Sequence, residues 1–454
     1  MSETEADTPS TPAEEIAAAL LRPDADRPAI LAGRQHADIA TALESLPTEA
    51  ALPALRALDI HRQAQVFGYL RRKAQARLGA ALARDERAAI VGAMSHDERA
   101  DLYRSLNAKG QEALLGVLAQ AERDDLHRLA AWPEGTVGAI MTSDYAFLWP
   151  NMTAPEAMEA LRRQAVDTET VYTALVASGD YRLLGVVSLR DLLLAGRKTR
   201  VEAIMDRDPV TIRADADQEE AARLIRRYDL LVLPVVDEAG RMVGIVTHDD
   251  ALDVVAEEAT EDALRGASVG ALDADADVRD TPLTILYRAR VGWLVLLVFG
   301  SMFSGAGLAA FEDTIAAHMS LLFFLPLLIG SGGNAGAQSA TLTVRALATG
   351  DVRPADYGRM MAREVAVAVA LGLTMAVAIG IAGLLRADAS VLAVVALSMT
   401  LIVLIGSLLG LTLPFVLERA GLDPATASGP LVTSLCDVTG VLIYFGIATL
   451  LLPM

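Results

Sequence analysis

Gly429-Pro-Leu-Val-Thr-Ser-Leu-Cys-Asp437-Val-Thr-Gly-Val-Leu-Ile-Tyr444 holds one carboxylate inside a stretch, 430–452, that is otherwise apolar enough to cross a bilayer. A charged side chain near the bilayer centre costs at least ~2.5–3.5 kcal/mol, so it is rarely present without a task. The stretch has no Lys, Arg or His to neutralise Asp437. Either the acid is protonated and hydrogen-bonded to Thr433 or Thr439, or a cation supplies the missing charge. One acid without a second carboxylate, His or Lys makes a poor proton relay. The cation reading makes this segment part of an ion path.

Outward from this segment, four more apolar stretches precede it, at about 291–311, 321–343, 365–385 and 391–416. Each has the ~20 residues that a spanning helix needs. Arg345, Arg353, Arg359 and Arg363 follow the second stretch, and Arg419 follows the fourth. Arginine-rich loops stay on the cytoplasmic side, which predicts cytoplasmic N-terminal domains and an outside C-terminus in the cell (inner) membrane. Five helices can hardly enclose a pore alone, so a homodimer in the lipid bilayer is expected.

The second stretch reads Pro326-Leu-Leu-Ile-Gly330-Ser-Gly332-Gly333-Asn334-Ala-Gly336-Ala-Gln338-Ser-Ala-Thr341. Glycines weaken a helix, and a membrane helix tolerates them for close helix contacts or where backbone meets a wet cavity. Packing does not explain Asn334 and Gln338, whose amides need polar partners. The expectation is that backbone carbonyls and amides here line a wet cavity.

The first ~285 residues carry most of the charge, so a hydrophilic protein is joined to a membrane protein. With 58 acidic against 39 basic residues the formal charge is −19, which argues against nucleic acid and fits cations as partners. Cys436 is the single cysteine, which excludes an internal disulfide and a thiolate zinc cluster. The polar, acidic start has no signal-peptide pattern. No Walker motif and no nucleophile–base set is present, so no enzyme and no ATP-driven pump is expected.

Residues 1–13 read as a disordered leader, and 14–135 as a superhelical array of short helices rich in Ala, Leu, Arg and Glu. An internal repeat follows, with a period of about 60 residues. Gly138-Ala-Ile-Met141 is matched by Glu202-Ala-Ile-Met205, and Gly185-Val-Val-Ser188-Leu-Arg-Asp191 by Gly244-Ile-Val-Thr247-His-Asp-Asp250. This pattern resembles a tandem pair of cystathionine-β-synthase (CBS) domains, at 137–200 and 201–256. The resemblance implies a cleft in which Ser188, Asp191, Thr247 and Asp250 would hold the ribose of ATP or ADP. Thr173 and Leu230, near the adenine position, are not aromatic, so stacking there would be weak.

An acidic linking region, 257–290, leads to the membrane domain at 291–454. Eleven carboxylates lie between Thr247 and Asp280, among them Asp249, Glu257, Asp273, Asp275, Asp277 and Asp280, against only Arg265 and Arg279. A solvated acidic helix is the ordinary explanation of such a run, yet like charges at i,i+4 destabilise a helix. Bound cations would relieve them, just before the first membrane helix, with the juncture at about 280–290 transmitting the motion.

The whole order, with Gly-Gly-Asn-x-Gly-x-Gln in helix 2 and Ser-Leu-Cys-Asp-Val-Thr-Gly in helix 5, resembles the MgtE magnesium channel/transporter family over residues ~14–454. The resemblance implies a dimeric, passive Mg²⁺ path with Asp437 from each subunit at the ion and with Gly333 and Asn334 lining the path, closed when cytoplasmic Mg²⁺ binds regulatory acids. Those acids would be Asp97, Asp217, Glu219, Asp229, Asp250, Asp253, Glu258, Glu261, Asp262 and Asp423. Ala337 stands where the family often has Asn, which bears on how hydrated cations are held. Mg²⁺ prefers oxygen ligands and keeps its waters, which suits one acid per subunit. Two other readings stay open here: a membrane-tethered CBS sensor of adenine nucleotides without transport, and a divalent transporter preferring Co²⁺ or another ion, for which Cys436 would be a softer ligand.

Overall fold

The computed structural model describes residues 11–116, 118–165, 168–270, 281–383 and 388–453. Residues 1–10 of the expected leader, and Asp273, Asp275, Asp277 and Asp280, lie outside the described residues. The chain divides into two compact units, Met1–Ala256 and Glu257–Met454.

The first unit opens with ten short helices: α1 (Pro12–Leu20), α2 (Arg27–Leu31), α3 (His36–Ser45), α4 (Thr48–Arg56), α5 (Ile60–Gly68), α6 (Arg72–Ala81), α7 (Arg84–Gly92), α8 (His96–Ser105), α9 (Ala108–Leu115) and α10 (Gln120–Ala130). Carboxylates reach back to the free N–H at several starts, as Glu14 does to Thr11 and Glu86 to Ala83. Arginines close the other ends: Arg62 donates to the Leu31 and Arg34 carbonyls, and Arg77 to those of Leu43, Glu44 and Leu46. Each such bond ties a later helix to an earlier helix end, which builds the expected superhelical array.

The repeat folds as two three-stranded sheets. The first holds β1 (Tyr145–Leu148), β2 (Thr170–Ala177) and β3 (Leu183–Ser188); the second holds β4 (Ile212–Arg213), β5 (Val232–Val236) and β6 (Met242–Thr247). In each, the first pair is parallel and the second antiparallel. The helices of this pair are α11 (Val137–Ile140), α12 (Ala154–Gln164), α13 (Leu189–Leu194) and α14 (Gln218–Tyr228). The closing glycines have a steric cause. A Cβ on Gly185 would overlap the Asp206 carbonyl, and one on Gly244 would meet the Thr142 carbonyl at 2.8 Å. At both places the opening segment of one copy bridges the last strand of the other, Val186 with Asp206 and Thr142 with Ile245. The two copies are therefore interlocked. One apolar core runs from Ile16 and Leu43 of the helical array to Ile225 and Val246 of the second copy.

α15 (His248–Gly266) starts at the end of β6 and continues to Gly266. The linking helix is thus not a separate element beginning at 257, because no Gly or Pro interrupts 248–265. The expected juncture is likewise the opening of α16 (Leu283–Ala309), which starts after Pro282 and runs straight into the first span.

The second unit continues with α17 (Glu312–Ala317), α18 (Leu321–Ala348), α19 (Tyr357–Gly383), α20 (Ala389–Arg419) and α21 (Gly429–Leu451). Among the described residues five helices, α16 and α18 to α21, are long and apolar enough to cross a membrane. α18 and α20 run parallel and meet through glycine. A Cβ on Gly410 would overlap the Gly336 carbonyl, and one on Gly336 would meet the Gly406 carbonyl at 2.8 Å. α21 lies antiparallel on α18, with Gly429 against Ala337 and Gly440 against Ile329. The buried Tyr444 hydroxyl donates to the Leu321 carbonyl at 3.0 Å, which fixes that register.

Candidate functional site

Asp437 sits midway along α21, half-buried, and makes no hydrogen bond or ion pair among the described residues. The threonines expected to satisfy a neutral acid do not do so. Thr439 Oγ1 donates to the Leu435 and Cys436 carbonyls at 2.9 and 3.1 Å, and Thr433 packs on Gly333. Cys436 is 1% exposed and lies against Gly336, so its sulfur faces a helix rather than the side on which Asp437 emerges.

The glycines of α18 are packed against neighbouring helices. Gly332, Gly333 and Gly336 are buried against Ile402, Thr433 and Cys436. Gly333 therefore makes a close contact with α21 at Thr433. Asn334 is exposed, as expected, and begins a polar stripe with Gln338, Thr341 and Arg345. These positions recur every three or four residues, one face of a helix. The Asn334 and Gln338 amides make no hydrogen bond among the described residues.

In the first unit a second acidic region forms between the helical array and the CBS pair. Asp97 at the start of α8 faces Asp250 at the start of α15. Burial, and then the Asp97 charge, pushes the Asp250 carboxyl up to about 8. Burial and Asp97 likewise raise Glu98 and Glu169 to about 7. The Asp97 carboxyl is itself raised by burial, and its Oδ1 has no hydrogen-bond partner. His96 stands beside them, 2.8 Å from each of the Asp125 and Asp144 carboxylates, and its Nδ1 also lies 2.8 Å from the Ser143 hydroxyl. Burial opposes its charge, but the two carboxylates outweigh burial and raise its pKa to about 9. Burial would raise Asp125, yet the His96 bond holds it down at about 2.

The sequence pairs Asp97 with Asp250 only through resemblance, and it misses Glu98, Glu169 and His96. Ser95-His96-Asp97-Glu98 carries a signal, since three titratable residues stand together at a helix start. Glu169 has none, because it arrives by folding. Among the described residues no three His, Cys, Asp or Glu side chains converge closely enough to hold one metal ion.

The remaining regulatory candidates are dispersed. Asp217 caps α14 through the Glu219 N–H at 2.8 Å, and Asp229 ends that helix with a left-handed φ of 50°. Asp253, Glu258, Glu261 and Asp262 are spaced along α15. Glu261 and Asp423 are brought together by Arg265, which bonds both. In the nucleotide cleft, the Ser188 hydroxyl donates to Asp191 at 2.5 Å, and Thr247 donates to Asp250. Asp250 is engaged with Asp97 in addition, so the two copies are not equivalent there.

Three family models match the chain. Residues 325–447 match the MgtE divalent cation transporter, 34–135 the MgtE intracellular N domain, and 137–198 and 201–257 the CBS domain. The magnesium transporter MgtE of Thermus thermophilus is 45% identical over 344 residues, 75% of each chain. The chain belongs to the MgtE family. The MgtE of Bacillus subtilis is 36% identical over 337 residues, 74% of each chain. A crystal structure of the soluble part of a magnesium transporter superposes on this MgtE-family chain with a TM-score of 0.51. It is 27% identical, covering 54% of this chain and 99% of its own. MgtE proteins are transporters, not enzymes, and the architecture of a helical N domain, a CBS pair and five apolar helices is that of the family.

Proposed function

We propose that this chain conducts Mg²⁺ passively through a path shared by two copies in the cell membrane, opened and closed by cytoplasmic Mg²⁺. One observation carries the reading: Asp437 is an uncompensated carboxylate in a spanning helix, α21, that packs on α18, the helix whose exposed polar stripe Asn334 begins. Two such carboxylates facing each other would accept hydrogen bonds from a hydrated ion without stripping its waters. The inward drive is the membrane potential, ~2.3 kcal/mol per charge per 100 mV. The relatives named above are magnesium transporters, which supports Mg²⁺ as the cargo.

A second copy is supported by apolar surface that one chain leaves uncovered. The CBS pair exposes Leu193, Leu194 and Leu252. The burial of Cys436 removes the sulfur on which a preference for softer ions would rest. Regulation rests on Asp97 and Asp250. Their mutual repulsion is relieved when a cation bridges them, which draws the helical array onto the CBS pair; at low Mg²⁺ the repulsion parts them. The acids of α15 with Asp423 form the second regulatory region. The cytoplasmic side is that of Arg353, Arg359, Arg363 and Arg419, with the C-terminus outside.

The test is Mg²⁺ uptake into liposomes by Asp437→Ala and Asp437→Asn protein that still elutes as a dimer. Flux is expected to fall to background in the first and by at least tenfold in the second. Undiminished flux in both ends the reading.

A further inference from the structure

The polar stripe of α18 does not stop at neutral side chains. Arg345 continues the line of Asn334, Gln338 and Thr341, at a spacing of four residues after Thr341, and is exposed like them. Its guanidinium has no ion pair among the described residues. A cation in the last turn of a helix, on the cytoplasmic side, has an ordinary explanation in the helix dipole and the positive-inside rule. Those rules ask for an arginine near this end; they do not ask for it in register with the polar face. Exposed residues in the middle of the neighbouring spans are mostly apolar, such as Val298 on α16 and Val367, Leu371 and Val377 on α19, with Ser301 and Thr374 as exceptions, and exposed arginines stand at their cytoplasmic ends, Arg288 and Arg290 on α16 and Arg359 and Arg363 on α19. A face that meets lipid would be expected to look like those.

Resting on the conduction path argued above, we propose that Arg345 belongs to that path. The two copies place a positive ring at its cytoplasmic mouth, which limits how fast divalent cations leave. Arg345 lies twelve residues beyond Gly333, or ~18 Å along the helix axis. That exceeds the ~10 Å screening length at 0.1 M salt. The ring therefore acts on ions at the exit and leaves their binding at Asp437 unchanged. A local potential acts on an ion in proportion to its charge, so the factor for a divalent ion is the square of that for a monovalent one.

The test is Mg²⁺ flux through the full-length dimer in liposomes, for wild type, Arg345→Gln, Arg345→Lys and Thr341→Lys, at low and high choline chloride. Two arginines near a hydrated divalent ion predict a roughly fivefold rise in flux for R345Q at ~0.1 M salt, shrinking toward no change at ~1 M. R345K restores the wild-type rate. T341K adds a charge one turn along the stripe and lowers flux, again with relief by salt; it serves also if R345Q fails to assemble. Flux that is unchanged in R345Q and T341K, or changed by a factor that salt does not move, overturns the proposal. The Asp437→Ala control separates the two readings: if that variant conducts normally, the path itself is wrong, whereas a dead D437A with unresponsive Arg345 variants rejects only the ring.

Discussion

The Arg265 guanidinium near the end of α15 bonds both Glu261, one turn back, and Asp423 in the loop before α21. Three residues on, the Ser268 and Ser428 hydroxyls meet at 2.6 Å, both buried, and Ser428 is the N-cap of α21. The linking helix is thereby fastened to the start of the helix that carries Asp437.

The two halves of the joint differ in strength. The Arg265 pairs are partly exposed, so Arg265→Ala is expected to change thermal stability by no more than about 1 kcal/mol. Ser268→Ala leaves the buried Ser428 hydroxyl without its partner, at a cost of ~1–3 kcal/mol. The Ser268→Ala, Ser428→Ala double variant should be less destabilised than the sum of the singles, which denaturant melts of the detergent-solubilised protein would measure. Both variants should also speed amide exchange in the first turn of α21.

His96 gives the first unit a pH dependence of known sign. Its pKa rises from 6.5 to about 9 on folding, so its contribution is complete below pH 6.5 and is lost as pH climbs through about 9. Asp125 falls from 3.8 to about 2, so its part is present above pH 3.8 and is lost toward pH 2. His96→Gln should therefore flatten the loss of stability between pH 6.5 and 9. A melting profile of the variant as steep as that of wild type over this interval would contradict the pairing with Asp125 and Asp144.

The facing acids give a pH dependence of the same sign, but as a cost of ionisation rather than a gain from it. Asp250, Glu98 and Glu169 have raised pKa values of about 8, 7 and 7. They cost nothing at pH values below the ordinary carboxylate range, and the cost grows as pH rises through 7 and 8. Asp97→Asn or Asp250→Asn should stabilise the metal-free protein at pH 8 by at least ~1 kcal/mol, since one pKa unit is worth ~1.4 kcal/mol. The same variants should lose most of the stabilisation that millimolar Mg²⁺ gives wild type. Melts in chelator and in Mg²⁺ test both halves, and an unaltered Mg²⁺ response in both variants removes Asp97 and Asp250 from the regulatory set.

Local patterns made much of this legible. The five apolar runs, the repeated Gly-x-x-Ser/Thr-x-x-Asp closure and the lone Asp437 each follow from composition within a few tens of residues. Partners distant in sequence did not show. Glu169 meets Asp97 only because α8 and the CBS pair fold together, and Arg265 reads as a stray counter-charge until Asp423 arrives 158 residues later. Helix ends were misplaced where nothing breaks the helix, as between β6 and Gly266. Glycine in a membrane helix signals both close packing and exposed backbone, and the contact of Gly333 with Thr433 shows up only in the fold.

That ambiguity yields a direct test on α18 and α20. Gly410 has no room for a methyl group, since a Cβ would overlap the Gly336 carbonyl, whereas a Cβ on the exposed Gly330 meets nothing within 4 Å. Gly410→Ala must push α20 away from α18, and overpacking of this kind costs ~1–3 kcal/mol. Gly330→Ala adds a methyl group in open space and should also gain ~0.5–1 kcal/mol of helix preference. Thermal aggregation in detergent is expected to come earlier for Gly410→Ala and no earlier than wild type for Gly330→Ala. If the glycines lined a wet cavity instead, Gly410→Ala would fold normally and the change would appear in Mg²⁺ flux alone.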